Sequence, residues 1–89
     1  MISKETHRAR TFSREYAWFV RHDPVTLLKI DRLVEDVIEH PLSGRGRPEA
    51  LRSGKGNVWS RRIDKKNRLV YHIDEEVVLL LHCRGHYEA

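Results

Sequence analysis

Three polar residues that lie far apart in the chain carry the side chains that cleavage of an RNA strand requires. The reaction needs a base for the proton of the ribose 2′-hydroxyl, a cation beside the phosphate, and an acid for the leaving 5′-oxygen. Glu49, Arg68 and His86 supply a carboxylate, a guanidinium and an imidazole. Because Arg68 keeps its proton and offers a planar fork to two phosphate oxygens, it is the candidate for charge stabilisation.

The sequence leaves open whether Glu49 or His86 is the base. A histidine titrates near pH ~6.5, so His86 can donate a proton at physiological pH. Glu49 lies among nine basic residues, which favour its ionised form and weaken it as a base, whereas desolvation would restore its basicity. We therefore predict an acid–base pair without assigning the two roles.

Glu49 and Arg68 each also have a simpler explanation. Glu49 could be a surface carboxylate that pairs with Arg47 or Arg52, an arrangement that contributes little to stability. Arg68 follows a predicted turn that begins at Asp64, and the two could form an ion pair across it. Residue types and spacing do not separate these explanations from a catalytic one.

His86 and Tyr87 lie within four residues of the end of the chain, where fraying often leaves side chains without a function. The apolar run from Val77 to Cys83 predicts a strand that would anchor this tail and place His86 just past the sheet edge. Tyr87 could stack on a base or orient a phosphate, which is typical of contacts to single-stranded RNA. Both residues are therefore candidate site residues.

The positive charge of the chain is concentrated in one segment. Residues 45–68 hold nine basic side chains and two acidic ones, although the whole chain has a net charge of only +4. Such segregation indicates an anionic partner, most commonly nucleic acid, or else a solvated basic surface. We assign eight residues of this segment to RNA contacts: Arg45, Arg47, Arg52, Lys55, Arg61, Arg62, Lys65 and Lys66.

Several residues near the end of the chain have the side chains of metal ligands, namely His72, His82, Cys83 and His86. On a helix, His82 and His86 would share one face. On the strand predicted here they are about 13 Å apart at ~3.3 Å per residue, too far to bind one ion. We therefore predict no metal site and no cofactor.

Length and composition predict one small domain in the cytoplasm. A chain of 89 residues supports a single hydrophobic core, so we expect one domain over residues 1–89 with a flexible start at residues 1–6. Cys83 is the only cysteine, and the longest apolar run, Val77 to Leu81, is too short to cross a bilayer. The N-terminal residues also lack the pattern of a secretion signal.

Two helices are predicted in the first half of the chain. Arg8 to Phe12 is a weak candidate for an edge strand, and Ser13 is predicted to cap a short amphipathic helix. Asp23 with Pro24 predicts the start of a second helix, because aspartate caps helices and proline fits the first helical position. His40 with Pro41 predicts its end.

The second half of the chain predicts strands and hairpins. The glycine-containing stretch from Leu42 to Pro48 is predicted to be a loop. Four strand-like runs follow it: Glu49 to Arg52, Val58 to Asp64, Asn67 to Ile73 and Val77 to Cys83. The unbroken apolar run in the last of these predicts a central strand covered on both faces. Trp59 and Tyr71 are expected in the core. The predicted class is α+β, with two N-terminal helices packed on one face of a mostly antiparallel, about five-stranded sheet.

Four motifs in the second half of the chain resemble one known family. In order, they are Gly44-Arg45-Gly46-Arg47-Pro48-Glu49-Ala50-Leu51, Trp59-Ser60-Arg61-Arg62-Ile63, Arg68-Leu69-Val70-Tyr71 and Cys83-Arg84-Gly85-His86-Tyr87. Their order and spacing are similar to those of the YoeB family of type II toxin–antitoxin systems, within the RelE superfamily. The chain departs from this pattern at Gly85, where an aromatic residue often stands, and at the extra residues Glu88 and Ala89.

The resemblance implies a ribosome-dependent endoribonuclease that cuts messenger RNA in the ribosomal A site without a metal ion. The expected product is a 2′,3′-cyclic phosphate, and catalytic roles fall on Glu49, Arg68, His86 and Tyr87. The implied partners are the ribosome, messenger RNA, a YefM-like antitoxin and a second copy of the chain. Two alternatives stay open: a member of this fold that binds the ribosome or antitoxin without cutting, and a relative that inhibits DNA gyrase.

Overall fold

The computed structural model describes residues 5–51 and 56–85 of the chain. The predicted architecture is confirmed: two helices pack on one face of a five-stranded, mostly antiparallel sheet with strand order β1-β5-β4-β3-β2. Within these two ranges, no helix has the length and apolar character needed to cross a membrane. The elements in chain order are β1 (Glu5–Arg8), α1 (Arg10–His22), α2 (Pro24–Glu39), β2 (Glu49–Ala50), β3 (Val58–Arg62), β4 (Arg68–Ile73) and β5 (Val77–His82).

The start of the chain differs from its prediction. The first strand, β1, precedes the predicted run of Arg8 to Phe12 and pairs in parallel with β5, with Glu5 opposite Val77. Glu5 and Thr6, the last two residues of the predicted flexible start, pair with Val77 and Val78 of β5. Residues 1–4 lie outside the described residues.

The two helices begin in different ways. Helix α1 starts at Arg10 after Ala9, which makes no side-chain cap, so the prediction that Ser13 caps this helix is wrong. Helix α2 starts as predicted, because the Asp23 carboxylate accepts a hydrogen bond of 3.1 Å from the Thr26 backbone N–H, and Pro24 occupies the first turn. The same helix ends at Glu39, before His40.

The core lies between the helices and one face of the sheet. Strand β5 lies between β1 and β4 and pairs with both. Along this strand only Val78 and Leu80 are buried. The prediction of a strand covered on both faces is therefore wrong, because helices cover one face only. Tyr71 is fully buried and Trp59 is partly buried against the core. The principal core residues are Phe12, Phe19, Ile30, Leu33, Val37, Leu69, Tyr71, Val78 and Leu80.

Candidate functional site

Glu49 and Arg68 form an ion pair on the sheet face that the helices leave uncovered. The Arg68 Nη2 atom lies 3.2 Å from Glu49 Oε1. In the sheet, Glu49 is opposite Ser60 and Arg62 is opposite Arg68, and opposed residues project to the same face. The pairing of β2, β3 and β4 therefore places a carboxylate and a guanidinium side by side, as cleavage chemistry requires.

Ser60 makes a second side-chain contact with Arg68. The Arg68 Nε–H donates a hydrogen bond of 3.1 Å to the hydroxyl of Ser60, which is fully buried. The Arg68 side chain is 14% exposed, whereas that of Glu49 is 59% exposed. Among the described residues, the hydrogen bonds of the Arg68 side chain use Nε and Nη2, so the two N–H groups of Nη1 remain for an anionic ligand.

Two of the simpler ion pairs considered for Glu49 and Arg68 are not formed among the described residues. Asp64 does not pair with Arg68, because its carboxylate accepts hydrogen bonds of 2.8 Å from the backbone N–H groups of Lys66 and Asn67. Glu49 pairs with Arg68 rather than with Arg47, and Arg52 lies outside the described residues.

The C-terminal tail meets the site at Gly85. The Arg68 backbone N–H donates a hydrogen bond of 2.9 Å to the Gly85 carbonyl, and Gly85 directly precedes His86 in the chain. The candidate residues His86 and Tyr87 lie outside the described residues. The structure therefore brings Glu49 and Arg68 together and binds Gly85, the residue before His86, to the backbone of Arg68.

Arg61 is not an RNA-binding residue, contrary to the prediction. Its side chain has no exposed surface, because residue alternation along β3 turns it toward the helices. Its Nε–H donates to the Tyr71 hydroxyl at 2.9 Å, and its Nη1 lies 2.5 Å from Asp36 Oδ2. The guanidinium also donates to three backbone carbonyls, those of His40, Ser43 and Arg45.

Arg61 and Asp36 bind backbone groups of the loop that precedes Glu49 and thereby fix its conformation. Burial of the Asp36 carboxyl favours its neutral form, but the Arg45 backbone N–H and the Arg61 guanidinium outweigh this effect, so the pKa of Asp36 lies below its ordinary value. Gly44 has φ +107°, and a Cβ there would overlap the Asp36 carboxylate. Sequence reasoning missed Asp36, and the glycine spacing of this loop was the available signal for a close approach.

The remaining predicted RNA contacts divide into two groups. Five of them are exposed basic side chains, as an anion-binding surface requires: Arg45, Arg47, Arg62, Lys65 and Lys66. Arg52 and Lys55 lie outside the described residues. Two further cations, Lys29 and Arg32 of α2, line a cavity of about 190 Å³ together with Arg45 and Arg62. Their position on a predicted amphipathic helix did not indicate that they would lie next to Arg45 and Arg62.

Cys83 is unsuited to bind a metal ion. Its side chain is fully buried, and burial raises the pKa of the thiol to about 12, with the Glu15 carboxylate acting in the same direction. A thiol that stays protonated is a poor metal ligand. In the part of the chain that the structure describes, no three His, Cys, Asp or Glu side chains are grouped to hold a metal ion.

Comparison with known protein sequences finds one family. Residues 9–87 match the sequence pattern described as YoeB-like toxin of bacterial type II toxin–antitoxin system. The toxin YoeB of Synechocystis is 38% identical over 74 residues, which cover 83% of this chain and 86% of that protein. The toxin YoeB of Escherichia coli K12 is 36% identical over 73 residues, covering 82% of this chain and 87% of that protein.

Comparison with solved structures gives the same result. The YoeB/ParE toxin from Agrobacterium tumefaciens superposes with a TM-score of 0.88 at 28% identity, covering 93% of this chain and 99% of that one. The YoeB dimer from Staphylococcus aureus has a TM-score of 0.88 at 29% identity, covering 97% of this chain and all of that one. A heterotetrameric YoeB–YefM toxin–antitoxin complex from the same organism gives 0.83 at 29% identity, with 97% and 100% coverage.

Proposed function

Because the chain belongs to the family of YoeB-like toxins of bacterial type II toxin–antitoxin systems, we propose that it is a ribosome-dependent endoribonuclease. In this proposal the toxin cuts messenger RNA in the ribosomal A site, in the cytoplasm, and thereby stops translation. The reaction uses no metal ion. The observation that carries the proposal is the ion pair of 3.2 Å between Glu49 and Arg68 on the uncovered face of the sheet.

The proposed reaction is an internal transfer of the phosphoryl group. The ribose 2′-oxygen attacks the adjacent phosphorus while a base takes its proton, and the bond from phosphorus to the 5′-oxygen breaks as an acid protonates that oxygen. The products are a 2′,3′-cyclic phosphate and a 5′-hydroxyl. Glu49 and His86 are the acid–base pair of this proposal, and Tyr87 orients the phosphate or an adjacent base.

Arg68 stabilises the charge that develops on the phosphate. Its Nε–H is fixed by Ser60 and one Nη2 N–H by Glu49, so the guanidinium is oriented before RNA arrives. Oriented donors stabilise a developing charge without reorganisation, and removing one such donor costs about 10²–10³-fold in rate. The arrangement supports a direct role in the reaction rather than simple attraction of RNA.

Purified ribosomes carrying a defined message test the proposal. We expect the wild-type protein to cut the message in the A-site codon and to leave a 5′-hydroxyl on the downstream fragment. Glu49→Gln and His86→Ala should each lower the single-turnover rate by about 10²–10⁴-fold, because each removes a positioned proton-transfer group. Val25→Ala, at an exposed apolar position of α2, is the control and should leave the rate unchanged.

Two outcomes would contradict the proposal. A wild-type protein that stalls translation and leaves the message intact would support the non-cleaving alternative. Loss of activity in a zinc chelator that leaves magnesium on the ribosome, with recovery on adding zinc, would contradict the metal-independent reaction.

We also propose that the chain forms a homodimer and is neutralised by a YefM-like antitoxin. Support comes from the dimer and the toxin–antitoxin complexes of the similar Staphylococcus aureus proteins. The exposed basic side chains of Arg45, Arg47 and Arg62 suit an acidic, disordered antitoxin tail over the same face. Light scattering after size exclusion should give twice the 10.6 kDa chain mass. Arg47→Glu should weaken capture of the antitoxin, and equal capture would contradict the assigned surface.

A further inference from the structure

Two hairpin turns of the sheet have the same hydrogen-bond pattern, in which an aspartate side chain binds backbone N–H groups. In the turn between β3 and β4, Asp64 Oδ1 accepts hydrogen bonds of 2.8 Å from the backbone N–H groups of Lys66 and Asn67. In the turn between β4 and β5, Asp74 Oδ1 accepts bonds of 3.0 Å from Glu76 and 2.8 Å from Val77. In both turns, one aspartate oxygen therefore binds the backbone N–H groups two and three positions further along the chain.

In the first turn, an asparagine side chain makes a further contact with the aspartate. Asn67 occupies the position that Val77 occupies in the second turn, and its amide nitrogen lies 3.2 Å from each oxygen of Asp64. The amide oxygen then accepts a hydrogen bond of 2.9 Å from the Gly85 backbone N–H. Asp64 thus orients the amide of Asn67, and Asn67 uses its free oxygen to hold a residue 18 positions further along the chain.

Gly85 is fixed on both of its backbone polar groups. Its N–H is bound by Asn67, and its carbonyl accepts a bond of 2.9 Å from the Arg68 N–H. Its φ of +104° lies in the region that favours glycine. The backbone of Gly85, the residue before His86, is therefore hydrogen-bonded to the backbone of Arg68, which carries the candidate guanidinium.

The two residues before Gly85 are held by helix α1. The Cys83 backbone N–H donates a bond of 2.8 Å to the Glu15 carboxylate. The Arg84 guanidinium lies 3.6 Å from the ring centre of Trp18, within the range of a cation–π contact. Residues 83–85, which follow β5, therefore each contact another element, and the contact to Gly85 comes from Asn67, the residue before Arg68.

We propose that Asn67 is a positioning residue of the active site. By binding the Gly85 N–H, it fixes the direction in which the chain leaves β5 toward His86 and Tyr87, relative to the neighbouring Arg68. This inference rests on the proposed endoribonuclease function, and Asn67 itself contacts no RNA in it. A misplacement of about 1 Å in a reacting group can cost about 10²-fold in rate.

Cleavage by ribosome-bound toxin tests the inference. Asn67→Ala should lower the single-turnover rate at saturating toxin by about 10²-fold, while the toxin concentration that gives half the maximal rate changes less than twofold. Asp74→Ala is the matched control, because it removes two turn hydrogen bonds from the other hairpin without touching Gly85. We expect this control to cleave at close to the wild-type rate.

A side-chain exchange separates positioning from simple stabilisation of the turn. The double variant Asp64→Asn/Asn67→Asp exchanges the donor and acceptor side chains, keeps an oxygen for the Gly85 N–H, and avoids two adjacent carboxylates. It should recover the rate to within about tenfold of the wild type, which corresponds to one hydrogen bond of ordinary strength. Amide hydrogen exchange at Gly85 should be faster in Asn67→Ala and near normal in the double variant.

The possible failures are distinguishable. A wild-type protein that leaves every message intact contradicts the proposed function itself. An active wild type with an equally active Asn67→Ala, or an Asp74→Ala that is as impaired as Asn67→Ala, contradicts the positioning role. Unchanged exchange of the Gly85 amide in Asn67→Ala also contradicts it, whether or not RNA is cut.

Discussion

At the scale of single residues, the adjacent arginines Arg61 and Arg62 have different environments. Arg61 has no exposed side-chain surface and contacts Asp36, whereas Arg62 is exposed. Alternation along β3 produces this difference, since successive side chains of a strand project to opposite faces. Basic charge at consecutive positions therefore does not imply one shared surface.

Replacing Arg61 should destabilise the fold. Arg61→Met removes the cation that pairs with Asp36 and the donor to three loop carbonyls, so we expect a loss of about 3 kcal/mol in the free energy of unfolding. Urea denaturation measures this loss. Arg62→Met is the control and should change stability by less than about 0.5 kcal/mol while weakening ribosome binding. Equal stability of the two variants would contradict the structural role of Arg61.

Asp36 should make stability depend on acid pH. Its pKa is below the ordinary value of 3.8 in the folded protein, so between these two values the unfolded chain binds more protons and stability falls as pH falls. The contribution is complete above pH 3.8 and is lost as pH drops through the lowered pKa. Wild type should therefore lose more stability than Asp36→Asn between pH 5 and pH 2, measured by urea denaturation at each pH. Parallel curves would contradict this.

The burial of Arg61 could not be predicted from the sequence, because most of its partners are backbone carbonyls of a loop 16–21 positions away. A carbonyl carries no residue-specific signal. In contrast, Glu49 and Arg68 could be selected by side-chain chemistry and motif spacing, although their contact depends on strand register. The role of Asn67 was also hidden, because a turn asparagine is explained locally before its second partner is known.

At the scale of elements, the two helix starts give a direct test of capping. Asp23 accepts hydrogen bonds from both the backbone and the hydroxyl of Thr26, whereas Ser13 lies inside α1. Asp23→Ala should lower the free energy of unfolding because it removes both cap hydrogen bonds, and Ser13→Ala should leave it nearly unchanged. Thermal or urea unfolding of the two variants measures this difference. A larger loss for Ser13→Ala would contradict the assigned helix start.

Elements with local signals were predictable, and those with distant partners were not. The α2 boundaries follow from Asp23, Pro24 and the His40-Pro41 pair, all of which act on their immediate neighbours. Strand β1 has little alternation and is stabilised by parallel pairing with β5, 72 positions away in the register of Glu5 and Val77. The two hairpins between β3, β4 and β5 were predictable because Asp-containing turns separate clear apolar runs.

At the scale of the whole molecule, the exposed basic residues are not simply those of the basic segment 45–68. Folding removes Arg61 from the exposed set and adds Lys29 and Arg32, which share a cavity with Arg45 and Arg62. Lys65 and Lys66 extend from the turn between β3 and β4, beside Arg84 in a cleft of about 860 Å³. Basic side chains therefore line one cavity beside α2 and one cleft beside the turn between β3 and β4.

This distribution predicts that ribosome binding depends strongly on salt. Each RNA phosphate contact releases bound counterions, so the logarithm of affinity should fall with the logarithm of salt concentration by about 0.7–0.9 per contact. Removing two contacts in Lys65→Ala/Lys66→Ala should therefore reduce the slope by about 1.4–1.8. Val25→Ala/Leu28→Ala, on the exposed apolar part of α2, is the neutral control. Binding measured between about 50 and 200 mM salt that stays flat, or a slope unchanged by the lysine variant, would contradict phosphate contacts as the source of affinity.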